Sequence, residues 1–130
     1  MNQYKKERFP KVKAAILTTL GELKAVELSS ELKQIAYGSD NQMAIRAEVA
    51  LSTMNGESMS EDERRKSSLR LCQLVSTAMS EERRLVAVGL RNLKIGDEPE
   101  VFDTLMRLLQ DENASVRLEA GRTLTVVQFT

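Results

Sequence analysis

The chain contains no histidine and no tryptophan. Without histidine it lacks the commonest general base at neutral pH and the commonest metal ligand, which excludes histidine-dependent triads and histidine-ligated metals. The absence of tryptophan removes the largest aromatic anchor of a docking surface. A single cysteine, Cys72, excludes an internal disulfide and a zinc ribbon, and it fits a reducing compartment, so a cytoplasmic setting is expected. Two prolines and six glycines in 130 residues are too few for a many-stranded sandwich with tight turns. An excess of one charge is also missing: nineteen basic and nineteen acidic residues cancel, leaving no global field to draw the protein onto nucleic acid or an anionic membrane. No apolar run approaches the roughly 18 residues of a spanning helix, and the opening MNQYKKERFP has no apolar stretch behind its bases. A soluble chain with no catalytic residue, cofactor or metal is expected, with neither nucleic acid nor membrane as partner.

What is present is rich in Ala, Leu, Glu, Lys, Arg and Met, the strong helix formers, at the length of one ordinary domain. After Pro10, the residues Val12, Ala15, Ile16, Thr19, Leu20 and Leu23 recur at helical spacing and predict a helix over 10–21. A second run, Ala25 to Tyr37, carries Leu28, Leu32, Ile35 and Ala36 and stops at Gly38, a position that suits a C-terminal cap. DNQMAIRAEVALSTM gives a third helix, and the polar run NGESMSEDERRKSS reads as a break. Further helices follow over Leu69 to Ala78, Glu81 to Leu93 and Pro99 to Leu109, and a seventh lies in DENASVRLEAGRTLTVV.

Aligning these segments reveals a repeat. KVKAAILTTLGEL, MAIRAEVALSTM, RRLVAVGLRNL and SVRLEAGRTLTV pair with one another, and a basic residue recurs as Lys13, Arg46, Arg84 and Arg117 at spacings of 33, 38 and 33. Asp40 and Asp111 each lie six residues before their arginine, whereas the middle unit has Ala78 there. Small residues such as Ala47, Ala50, Ala87, Gly89, Ala120 and Gly121 let helix axes approach within about 8–10 Å. An aspartate opening a helix accepts backbone N–H groups, and an arginine a turn or two further on reaches an acid nearby. Asp40, Arg46, Asp111 and Arg117 are thus expected to form a structural ladder between repeats. VRLEA at Val116 to Ala120, with IRAEV at Ile45 to Val49 and RRLVA at Arg83 to Ala87 as weaker matches, resembles the second helix of the HEAT repeat. The resemblance covers about Pro10 to Val127. It implies an all-α, right-handed solenoid of about seven helices: an N-terminal helix over 10–21 and helix pairs over about 24–56, 61–96 and 98–130.

A HEAT-like solenoid implies a protein–protein interaction or scaffold module. Its partner would meet the concave face of second helices or the polar 55–66 loop. Arg84 and Arg91, whose own repeat lacks the turn acid, are the leading partner-binding candidates, joined by Arg64 and Arg65 of the loop. RRKS at Arg64 to Ser67 also fits a basophilic kinase site, a pattern short enough to arise by chance. Cys72 in LRLCQLV reads as a small buried hydrophobe. The basic cluster Lys5, Lys6, Arg8, Lys11 and Lys13 reads as a solvated terminus. Leu118, Val126 and Phe129 are expected to add apolar area at the C-terminal end, suited to docking on further repeats, a second copy or a partner. Alternatives are a portion of a larger HEAT-repeat protein, or an enzyme of the HEAT-like DNA glycosylase or chromophore lyase type, against which the missing histidine and tryptophan count.

Overall fold

Helix boundaries fall at most of the turn signals of the sequence in the computed structural model, which describes residues 1–130. There are eight α-helices and no strand: α1 (Asn2–Lys6), α2 (Pro10–Glu22), α3 (Ser29–Ala36), α4 (Asn41–Asn55), α5 (Glu61–Leu74), α6 (Ser80–Leu93), α7 (Pro99–Leu108) and α8 (Ala114–Val126). The additional helix is the short α1. Single 3-10 turns, Val26–Leu28 and Val75–Thr77, precede α3 and follow α5.

The largest departure from expectation is α5, which begins at Glu61 rather than Leu69. Ser60 closes a capping box: its hydroxyl accepts the Glu63 N–H at 3.1 Å, and the Glu63 carboxylate accepts the Ser60 N–H at 3.2 Å. Glu61, Asp62 and Glu63 fill the first turn, where the positive end of the helix dipole favours them. The expected binding loop over 55–66 therefore shrinks to Gly56–Ser60. Gly38 is not a left-handed cap either. The left-handed positions are Lys24, two residues past the end of α2, and Lys94, directly after α6.

Packing follows a single scheme. α2, α4, α6 and α8 run side by side, α2 against α4, α4 against α6 and α6 against α8, while α3, α5 and α7 each pair with the helix that follows. Small residues set the closest approaches. A Cβ on Gly21 would stand 3.0 Å from the Cα of Ala50, and one on Gly89 would stand 2.8 Å from Leu71 Cδ1. α4 is the wall between two apolar cores. It gives Met43, Ala47 and Leu51 to the smaller, shared with Leu17 and Leu32, and Ile45 and Val49 to the larger, shared with Leu71, Val86, Leu90 and Leu105. Apolar residues on opposite faces of one helix are what burial on both sides requires.

α7 lies along α5, but α3 and α5 make no comparable contact. Between them runs a groove of about 270 Å³, bordered by Lys33, Tyr37, Leu51, Met59 and Lys66. Arg70 ties α5 to α3 and α4: Nε donates to the buried Glu48 carboxylate at 3.1 Å, Nη2 donates to the Ala36 carbonyl, and the guanidinium lies 3.9 Å from the Tyr37 ring centre.

Candidate functional site

α2, α4, α6 and α8, packed one on the next, form one side of the molecule. The α2–α4–α6 part holds a groove of about 230 Å³, with Thr18, Arg46, Val49, Arg84, Leu85 and Val88 among its lining residues. Leu85 and Val88 are half-buried and rest on the larger core with their outer atoms in the groove. Arginines and glutamates alternate above them.

Their pairing differs from the expected ladder. Asp40 caps α4, accepting the Met43 N–H at 3.2 Å, but it does not meet Arg46. Arg46 instead turns to the next helix pair, donating from Nε to Glu82 at 2.7 Å, with Nη1 3.5 Å from Thr18 Oγ1. Asp111 does take an arginine in both oxygens, yet that arginine is Arg83: Nε to Oδ1 is 2.7 Å and Nη2 to Oδ2 is 3.1 Å. Arg117 donates to the Asp111 backbone carbonyl at 2.6 Å, so it closes its own turn and bridges no repeats. The cause is direction. A long side chain near the start of one helix reaches the neighbouring helix, and the acid it meets there sits in that helix's first turn, as Glu82 does in α6, or in the turn before it, as Asp111 does before α8.

The Arg83 guanidinium holds the Asp111 carboxyl below the usual carboxylate range, and hydrogen bonding to Asp111 in turn raises Arg83. Two arginine–acid pairs share a spacing, Arg83–Asp111 and Arg91–Glu119 each being 28 residues apart, because both run from α6 to α8 or the turn before it. Glu82, Arg83 and Glu119 were not singled out by sequence. The 28-residue spacing points to Arg83 and Glu119 once Asp111 and Arg91 are in hand, but Glu82, 36 residues after Arg46, carries no such signal.

The four candidate arginines divide into two groups. Arg84 and Arg91 do lie on this side, at the α6–α8 seam, but they are not free of acids. Arg91 donates to Glu119 at 3.1 Å, and Arg84 stands 3.9 Å from both Glu119 and Glu81. Glu119 supplies from the next helix pair the acid their own turn lacks. Arg64 and Arg65 lie elsewhere and brace the turn after α6. Arg64 donates to the Leu93 carbonyl at 2.9 Å, satisfying a helix C-terminus. Arg65 donates to Asp97 and Glu98 at 2.9 and 2.8 Å, which lowers the Asp97 carboxyl. Ser67, the residue the kinase pattern would modify, is buried and donates to Glu48 at 2.7 Å.

At the C-terminal end, Leu118 and Val126 are exposed, but Phe129 is not part of that surface. It packs edge-on against Phe102 at 5.3 Å between ring centres, and Thr130 N–H donates to the Gly96 carbonyl at 3.1 Å. Lys13 stands over the Tyr4 ring at 5.2 Å. Cys72 is buried, its thiol 3.8 Å from the Glu100 carbonyl, and burial pushes it up to about 11. No three acidic or thiol groups are gathered as a metal site would need, and no helix is long and apolar enough to cross a membrane. Compared with known proteins, the chain matches no family model, no curated protein and no solved structure.

Proposed function

We propose that the chain is a HEAT-like, right-handed α-solenoid that works as a non-catalytic interaction module, binding another protein of the cytoplasm along the α2–α4–α6–α8 side. The observation that carries this reading is the run of second helices packed one on the next, with a groove whose apolar residues, Leu85 and Val88, are edged by arginines from two helix pairs. An apolar strip with a charged rim is the anatomy of a protein interface, and binding there is stoichiometric. Capture from native extract with the wild type and with a Leu85→Ser/Val88→Thr variant tests it. The expected result is one protein partner lost with the variant while melting is only slightly lowered. Recovery of nucleic acid or a small molecule in its place overturns the reading, and turnover of a nucleobase or chromophore substrate moves the chain to the enzymes.

A second reading, that these helix pairs belong to a longer array or pair with a second copy, is favoured by the last pair, where Phe102, Met106 and Leu118 are all exposed. Concentration-dependent light scattering with an apolar-surface dye tests it. A strict monomer that binds no dye refutes it.

A further inference from the structure

At the α6–α8 seam three guanidiniums gather around one carboxylate. Arg91 Nη1 donates to Glu119 Oε1 at 3.1 Å, Arg122 Nη1 stands 3.5 Å from Oε2, and Arg84 Nη1 stands 3.9 Å from the same oxygen. Only the Arg91 contact is a hydrogen bond. Arg84 and Arg122 therefore hold their charge near Glu119 while their N–H donors make no hydrogen bond within the protein. The other acid near Arg84, Glu81, is 3.9 Å away and also lies 4.0 Å from Arg46. Arg91 borders an adjoining hollow with Lys24 and Lys94, where Glu57 is the one acid. In a chain of zero net charge this is a local excess of positive charge. It adjoins apolar surface: Leu85 and Val88 on α6 line the same groove as Arg84.

We propose that this cluster is the recognition site for an acidic protein segment, whose carboxylates pair with Arg84 and Arg122 and whose apolar side chains rest on Leu85 and Val88. The proposal rests on the reading of this side as a protein interface and names the chemistry of the partner. A guanidinium with its N–H edge open takes a carboxylate through two parallel bonds. Glu119, Glu81 and Glu57 are interspersed among the bases, so a continuous run of phosphates would meet them in turn. A segment with carboxylates spaced by apolar residues avoids them, which favours a peptide over nucleic acid.

The test uses the full chain and a labelled peptide of alternating glutamate and leucine, beside the glutamine–leucine analogue and a single-stranded oligonucleotide of equal charge. The acidic peptide is expected to bind, to weaken as salt is raised, and to bind Arg84→Gln/Arg122→Gln roughly tenfold more weakly at an unchanged melting temperature, the scale of a lost charge-assisted pair. Glu119→Gln, which removes the competing charge but keeps an acceptor for Arg91, is expected to bind it more tightly. Glu112→Gln, the same charge change at an exposed site away from the cluster, is expected to change nothing. Equal binding of the glutamine analogue overturns the proposal, as does an unaffected double variant or an equal gain from Glu112→Gln. Tighter binding of the oligonucleotide through the same arginines assigns the cluster to nucleic acid instead. If the peptide fails while Leu85→Ser/Val88→Thr still loses a captured protein, this proposal falls and the interface reading stands.

Discussion

Replacing Arg46 with methionine should be among the most damaging single changes to a charged residue. The Arg46 side chain is 14% exposed and that of Glu82 is 7%, and the 2.7 Å bond between them is the one hydrogen bond Glu82's carboxylate makes in the protein. Arg46→Met removes a large cation and strands a carboxylate that the surrounding helices keep from water. Breaking a buried pair this way costs about 3–5 kcal/mol, and the residual exposure of Arg46 brings the expectation to about 2–4 kcal/mol. At about 4 °C per kcal/mol for a chain of this size, melting should fall by roughly 8–16 °C. Glu82→Met should cost less, about 1–2 kcal/mol, because Arg46 keeps Glu81 at 4.0 Å and Thr18 at 3.5 Å. The double variant Arg46→Met/Glu82→Met should return to within about 1 kcal/mol of wild type, since two apolar side chains of similar volume carry no desolvation cost. Urea titration of the four proteins closes the double-mutant cycle. An Arg46→Met loss below about 0.5 kcal/mol, the size of an exposed pair, would refute the reasoning, and so would simple addition of the two single losses.

Asp111 gives a pH dependence: its folded-state carboxyl lies below its unfolded value near 4, so its contribution is complete above about pH 5 and is lost as pH falls through the depressed value. The melting advantage of wild type over Asp111→Asn should therefore be constant near neutrality and shrink in acid. Cys72, with its thiol pushed up to about 11 and buried, should react with a thiol reagent at pH 8 far more slowly in the folded protein than in denaturant; equal rates would place it at the surface. Gly89→Ala should destabilise by about 1–3 kcal/mol, because the new methyl would stand 2.8 Å from Leu71 Cδ1 and 3.1 Å from Val49 Cγ2; a neutral result in urea would show that both side chains yield freely.

The helices were legible because their signals are local. Pro10 and Pro99 open α2 and α7 where a helix tolerates proline, and the apolar residues between them repeat at helical spacing. The small residues were legible for the same reason, and Ala47, Ala50, Ala87 and Ala120 are all buried at helix contacts. The arginine partners were not. Asp40 lies close to Arg46 in sequence, but its carboxylate is taken by the cap of α4, and Glu82, 36 residues on, becomes the partner because α6 packs against α4. Such a pairing depends on which helix lies alongside, which periodicity within one helix does not encode. The start of α5 failed differently. Its capping box, Ser60-Glu61-Asp62-Glu63, is written in the sequence, but the apolar pattern behind it is so sparse that the polar run read as a break.

That extended α5 accounts for the irregular spacing of 38 between Arg46 and Arg84, where the other intervals are 33. α5 has 14 residues, against 8 in α3 and 10 in α7, so the extra length lies within a first helix and not in a binding loop. The added N-terminal turns do two things. On one side they carry Glu63 and Lys66 to the edge of the groove that α3, with its 8 residues, leaves open. On the other they bring Arg64 to the Leu93 carbonyl and Arg65 to Asp97 and Glu98, fixing the turn after α6 whose backbone Lys94 holds in a left-handed conformation. A non-glycine residue in that conformation costs on the order of 1 kcal/mol, and charge-assisted bonds at both of its flanks offset that cost. Arg91 and Glu119 lie at the C-terminal half of α6 and the adjoining part of α8, so the turn that α5 braces is the one that ends the helix carrying two of the clustered arginines. Arg64 and Arg65 then act on the α6–α8 seam through its geometry. That differs from contact with a partner, because changes at Arg64 and Arg65 should loosen the turn before they alter any binding.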